Sequence, residues 1–100
     1  MKLNGKDYEV GKFTRKLNKE YTELSKEVED EDKKGDYSEE LLDKMVAMIV
    51  KIFNNKVTEE EINDEWDIAD IVVAFFAPQL EMKEKIDTKL KPYEKKFKKK

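Results

Sequence analysis

Hydrophobic positions change period along this chain, and each period predicts a different element. Around Asn4-Gly5, the preferred dipeptide for a two-residue hairpin turn, the register sets Lys2 opposite Asp7 and Met1 opposite Tyr8. Met1, Leu3, Tyr8 and Val10 then share one apolar face. A lone two-stranded hairpin is marginal in water, so this face is expected to rest on a helix or on another subunit.

From Phe13 onward the period becomes helical. Phe13, Leu17, Tyr21, Leu24 and Val28 fall at i, i+4, i+8, i+11 and i+15, a stripe roughly 80° wide on a helix that begins near Thr14. Its far end carries Glu27, Glu29, Asp30, Glu31 and Asp32, the wrong sign for a helix C-terminus, and predicts fraying into an acidic loop that runs to Tyr37. A second helix starts at Ser38 as N-cap, with Glu39 and Glu40 in its first turn, and stops at Asn54-Asn55. Leu41, Leu42, Met45, Val46, Met48, Ile49, Val50, Ile52 and Phe53 cover more than half of its circumference, which marks it as the central, most buried helix.

Two further helix starts are written into short motifs. Thr58 with Glu61 forms a capping box, and Val57 against Ile62 a hydrophobic staple, so a short third helix is expected there. Asp67 with Asp70, and Trp66 against Ile71, open a fourth over Ile68 to Ala77 that buries Ile68, Ile71, Val72, Phe75 and Phe76. Pro78 suits the first turn of a fifth helix, on which Met82, Ile86, Leu90, Tyr93 and Phe97 repeat the narrow spacing of the first. Pro92 interrupts that stripe and predicts a firm helix to Lys91 with a loose end beyond. The fold class is therefore mainly α: a small domain of four to five helices with a short N-terminal β-hairpin. Residues 1–91 form the domain, with the hairpin at 1–10, and residues 92–100 a lysine-rich flexible tail.

Composition narrows the function. Charged residues are 45% of the 100, but 21 Lys and Arg nearly cancel 24 Asp and Glu, so no overall field points to nucleic acid or membrane. Cysteine and histidine are both absent. That removes disulfides, thiol nucleophiles, the usual zinc ligands and the side chain that titrates near neutral pH, and argues against an enzyme and against a cofactor. The N-terminus has no apolar stretch of a signal peptide, and the longest apolar runs, Met45 to Val50 and Ile71 to Ala77, fall short of the roughly 20 residues that span a bilayer.

The acidic clusters have bland readings. Asp30, Asp32, Gly35 and Asp36 match positions one, three, six and seven of a calcium-binding loop. Lys34 at position five and Leu41 at position twelve remove two ligands, which leaves a solvated connector. Glu59, Glu60, Glu61, Asp64, Glu65, Asp67 and Asp70 are accounted for largely as helix starts rather than as an acid/base or metal cluster. Phe75, Phe76 and Trp66 sit among aliphatics and read as core. From Lys83 to the end, nine lysines face three acids. This asymmetry reads as a solvated face with a tail, or as a surface that steers a protein partner toward Tyr93 and Phe97. Lysine without arginine argues against a specific nucleic-acid reader, although a small regulator binding nucleic acid through this basic end is the alternative function. The protein-binding candidates are Leu17, Tyr21 and Leu24 on the first helix, with Met82, Ile86, Leu90, Tyr93 and Phe97 on the last, presented to a helical client or to a second copy.

The layout resembles a known family. A start Met-Lys-Leu-Asn-Gly-Lys-Asp-Tyr-Glu-Val, an amphipathic helix, an acidic connector, a long apolar helix and Val-Thr-Glu-Glu-Glu-Ile-Asn-Asp-Glu-Trp-Asp-Ile-Ala-Asp-Ile-Val before a charged end are similar to the small tail assembly chaperones of long-tailed phages of Gram-positive bacteria. The resemblance implies a non-enzymatic helical protein of the host cytoplasm. Such a protein keeps the tape measure protein soluble and, in a longer form made by ribosomal frameshifting, recruits tail tube subunits. The lysine codons of Lys98-Lys99-Lys100 suit a slippery site.

Overall fold

In the computed structural model, residues 2–97 are described, with their side chains through residue 92. The chain opens with strands β1 (Lys2–Leu3) and β2 (Lys6–Asp7), paired antiparallel with Lys2 opposite Asp7 and Leu3 opposite Lys6. Asn4 and Gly5 both adopt positive φ, 50° and 80°, the conformation that a two-residue turn matching strand twist demands. Met1, expected on the apolar face, lies outside the described residues. Leu3, Tyr8 and Val10 of that face are buried. The face rests on the helices: the Tyr8 ring stacks on Phe53 at 5.3 Å and meets the edge of Trp66 at 5.6 Å.

Helix α1 spans Arg15–Lys34, with the Thr14 hydroxyl accepting from the Leu17 amide. It does not fray at its acidic end. Lys33 and Lys34 restore the favourable sign in the last turn, and Gly35 at φ 77° closes the helix, its N–H donating to the Asp32 carbonyl at 3.0 Å. The acidic residues expected to loosen this region instead serve as acceptors. Glu31 takes the Ser38 amide at 2.7 Å and the Ser38 hydroxyl at 3.3 Å, and Asp32 takes the Tyr37 hydroxyl. The connector between the first two helices is thus tied on both sides.

Helix α2 (Glu39–Ile52) starts on the Ser38 cap and ends where Asn54 and Asn55 turn to φ 53° and 63°. It is the hub: α1, α4 and α3 (Glu59–Glu65) all pack on it, and Met45, Ile49, Ile52 and Phe53 are almost fully covered. Two exposed ion pairs, Lys44–Glu27 and Lys51–Glu20, run along its antiparallel seam with α1 and add little to stability. Thr58 caps α3 as expected, and Val57 and Ile62 are both buried. Asp67 and Asp70 exchange side chain-to-amide hydrogen bonds at 2.8 and 3.4 Å across the start of the last helix.

That last helix, α4, is a single element over Ile68–Phe97, with Pro78 and Pro92 inside it. The separate fifth helix expected from Pro78, whose ring is buried, is absent, and the helix also runs on through Pro92, where a loose end beyond Lys91 was expected. Each proline removes one helical hydrogen bond without ending the helix. Ile68, expected in the core, is 56% exposed. It lies in the opening turn, and the buried row of α4 begins one turn later at Ile71. Val72 and Phe76 are half-buried against the core.

Candidate partner-binding surface

The two apolar stripes legible in the sequence meet only where Phe13 and Tyr21 share a groove with Met82 and Ile86. Tyr21 of α1 is buried, its hydroxyl donating to the Phe75 carbonyl of α4 at 2.8 Å and accepting from the Gln79 amide at 3.4 Å. Its ring lies 4.9 Å from Phe75 and 5.5 Å from Phe13. Burial raises the Tyr21 pKa above its ordinary value, and the hydrogen bonds with Gln79 and Ser25 partly offset that effect. Leu24 is buried as well, and Leu17 half-buried against the core. Most of the α1 stripe therefore serves the fold, and Leu17 is its one sequence-predicted binding residue left partly open.

Where the two helices part, a groove of about 360 Å³ opens between Phe13, Asn18 and Tyr21 on one side and Pro78, Gln79, Met82, Lys83, Ile86 and Asp87 on the other. A second depression of about 370 Å³ shares Asn18, Tyr21 and Gln79 with it and continues toward Ser25 and Glu29. The floor is apolar and aromatic, and its centre offers two side-chain amides. Asn18 and Gln79 are groove residues that the periodicity did not single out, since nothing in one-dimensional spacing says which helix will stand beside which.

Beyond the groove α4 keeps going. At 100° per residue, Met82, Ile86 and Leu90 point within about 60° of the direction of Phe75, so they continue the face that packs on the core. Met82 is half-buried, while Ile86 and Leu90 are 50% and 46% exposed. Tyr93 and Phe97 repeat this spacing, but their side chains lie outside the described residues, as do residues 98–100 of the predicted tail. The α4 arm is anchored to the body at its base. The Val10 amide donates to Glu81 at 3.4 Å, and the Lys85 ammonium donates to the Val10 carbonyl at 3.2 Å. The extents of 54 × 29 × 23 Å describe a body with a helical projection.

The groove itself is lined by one cation, Lys83, and one acid, Asp87, and charge is uneven only farther along the two helices. Residues 12–19 contain Lys12, Arg15, Lys16 and Lys19 and no acid, and all four cations are exposed. On α4, Lys83, Lys85, Lys89 and Lys91 outnumber Glu84 and Asp87. Among the described residues there is no cluster of acidic side chains able to hold a metal ion, and no helix long and apolar enough to cross a membrane.

The groove between α1 and α4 leads along α4 onto the exposed Ile86 and Leu90. The phage tail chaperone protein family matches residues 2–100. The chain belongs to this family. No curated protein and no solved structure matches the chain. Membership of this family supports a role as a chaperone in phage tail assembly.

Proposed function

We propose that this tail chaperone keeps the tape measure protein of a long-tailed phage of a Gram-positive host soluble in the host cytoplasm. It does so by accepting amphipathic helical segments of that protein into the α1–α4 groove and along the stripe beyond it. The observation that carries this reading is the continuity of one face of α4, from Phe75 in the core through Met82 to the exposed Ile86 and Leu90. A client helix laid there extends the chaperone's own helix packing by two to three turns. A long helical client offers such segments repeatedly, so several chaperones bind one chain, each shielding one apolar stretch from aggregation.

Tyr93 and Phe97 repeat the same spacing in the sequence. A frameshift at the codons of Lys98 to Lys100 yields a longer product whose added segment recruits tail tube subunits. Co-expression with the tape measure protein tests the reading. Wild-type chain keeps that protein in the soluble fraction, and an Ile86→Glu, Leu90→Glu variant that retains its helical circular dichroism does not. Equal solubility with both chaperones contradicts it.

A further inference from the structure

Helix α4 carries a second apolar row on the side away from the core. At 100° per residue, Ala69, Val73, Phe76 and Leu80 fall within an arc of about 60°, centred about 180° from the buried Ile71, Ala74, Phe75 and Pro78. Ala69 is exposed, Val73 is 50% and Leu80 66% exposed, and Phe76 is half-buried against the edge of Phe75. This row is separate from the groove, because Ile86 and Leu90 point roughly 90° away from it.

We propose that the row is the contact of a two-fold dimer in which the α4 helices of two copies run antiparallel. Its spacing identifies the occupant. The four residues are separated by four, three and four positions, the intervals of a coiled-coil contact, and that order reads the same in both directions. A reversed copy therefore matches it layer by layer. Ala69 faces the partner's Leu80, Val73 faces the partner's Phe76, and the same two layers recur across the two-fold axis. Each layer sets a smaller side chain against a larger one, whereas a parallel copy sets Ala69 against the partner's Ala69 and leaves a gap.

Charge favours the same direction. Residues 57–82 contain no Lys or Arg, and seven acids crowd residues 59–70 of α3 and the start of α4. Parallel pairing places these acids beside their equivalents. Antiparallel pairing brings the exposed Lys83 to within about 1.5 Å of the axial level of the partner's exposed Asp67. It also carries residues 83–91, with four lysines against Glu84 and Asp87, toward the partner's acidic end. The dimer leaves Ile86 and Leu90 outside the contact, so two client faces are linked and hold a client of many similar segments longer than one does.

Sedimentation equilibrium of the full-length chain from about 1 to 300 µM tests the proposal, since a contact this short is expected to dissociate at roughly 10 µM. Leu80→Glu, and separately Val73→Glu, is expected to weaken the dimer at least about tenfold with unchanged helical circular dichroism, and Ile86→Glu to leave it intact. The chain has no cysteine, so introduced thiols report direction. A mixture of Ala69→Cys and Leu80→Cys chains is expected to form the mixed disulfide. Leu80→Cys alone is not, because the two positions stand about 16 Å apart along antiparallel helices, too far to bridge.

A chain that stays monomeric over this range, or a dimer indifferent to both Leu80→Glu and Val73→Glu, overturns the proposal. So does a dimer dissolved by Ile86→Glu, or a Leu80→Cys homodisulfide formed as readily as the mixed one. A monomeric wild type whose binding to the tape measure protein is weakened by Leu80→Glu assigns the row to the client and overturns it as well. If the dimer behaves as expected but the Ile86→Glu, Leu90→Glu variant binds the tape measure protein undiminished, the dimer stands and only the functional reading above fails.

Discussion

The Tyr21 hydroxyl donates to the main-chain carbonyl of Phe75 at 2.8 Å, across 54 residues of sequence, and so fixes α1 against α4 at the head of the groove. Removing only the hydroxyl keeps the ring in its contacts with Phe13 and Phe75 but leaves the Gln79 amide without that acceptor. Tyr21→Phe is expected to cost about 1 kcal/mol of unfolding free energy, and Tyr21→Ala about 3–5 kcal/mol through the cavity it leaves. Urea denaturation followed by circular dichroism checks both. A negligible loss for Tyr21→Ala contradicts the burial of this ring.

Two tyrosines make stability fall at high pH. Burial raises the Tyr21 pKa, and the hydrogen bond to Asp32, with burial and the Asp32 charge behind it, pushes Tyr37 up from 10.0 to about 12. The folded state then holds these protons where the unfolded chain releases them. Their contribution is complete below pH 10 and is lost as pH rises toward 12. Spectrophotometric titration at 295 nm should show an ionisation step near pH 12 that Tyr37→Phe removes. Urea midpoints should decline above about pH 10, less steeply in Tyr21→Phe.

Gly11 carries a packing constraint rather than a conformational one. Its amide donates to the Ile52 carbonyl at 2.8 Å, and a Cβ there would stand 2.9 Å from the Asn54 Cβ. Gly11→Ala is therefore expected to destabilise by about 1–3 kcal/mol, as overpacking does, and an added Asn54→Gly, which removes the opposing atom, should recover much of it. Gly35→Ala is a contrasting case: nothing lies within 4 Å of the new Cβ, and the expected loss of about 1 kcal/mol comes from the left-handed backbone at φ +77°. No second-site change at Asn54 should rescue it.

Local chemistry was the legible part of this protein. Thr14, Ser38, Thr58 and Asp67 cap the helices they were expected to start, and Asn4-Gly5 sets the expected hairpin register. Each of these depends on residues within three or four positions of one another. The misreadings came from rules that tertiary contacts override. Pro78 breaks a solvated helix, but here its ring is buried and the helix continues. The acids at the end of α1 repel a helix terminus in isolation, yet Glu31 and Asp32 find donors in Ser38 and Tyr37.

The binding surface was half legible for the same reason. Spacing identified both apolar stripes, but no periodicity could show that Tyr21 and Leu24 pack inside the fold while Ile86 and Leu90 stay outside it. That difference depends on where the body ends along α4, a property of the assembled helices.

The central claim is that the α4 face beyond Met82 is where a tail protein binds. The most direct test is a titration of a soluble tape measure segment into the wild-type chain and into an Ile86→Glu variant, by isothermal calorimetry with the fold of each confirmed by circular dichroism. The account predicts saturable binding by the wild type and a loss of at least about tenfold, or roughly 1.4 kcal/mol, in the variant. Unchanged affinity in a correctly folded Ile86→Glu chain would contradict it.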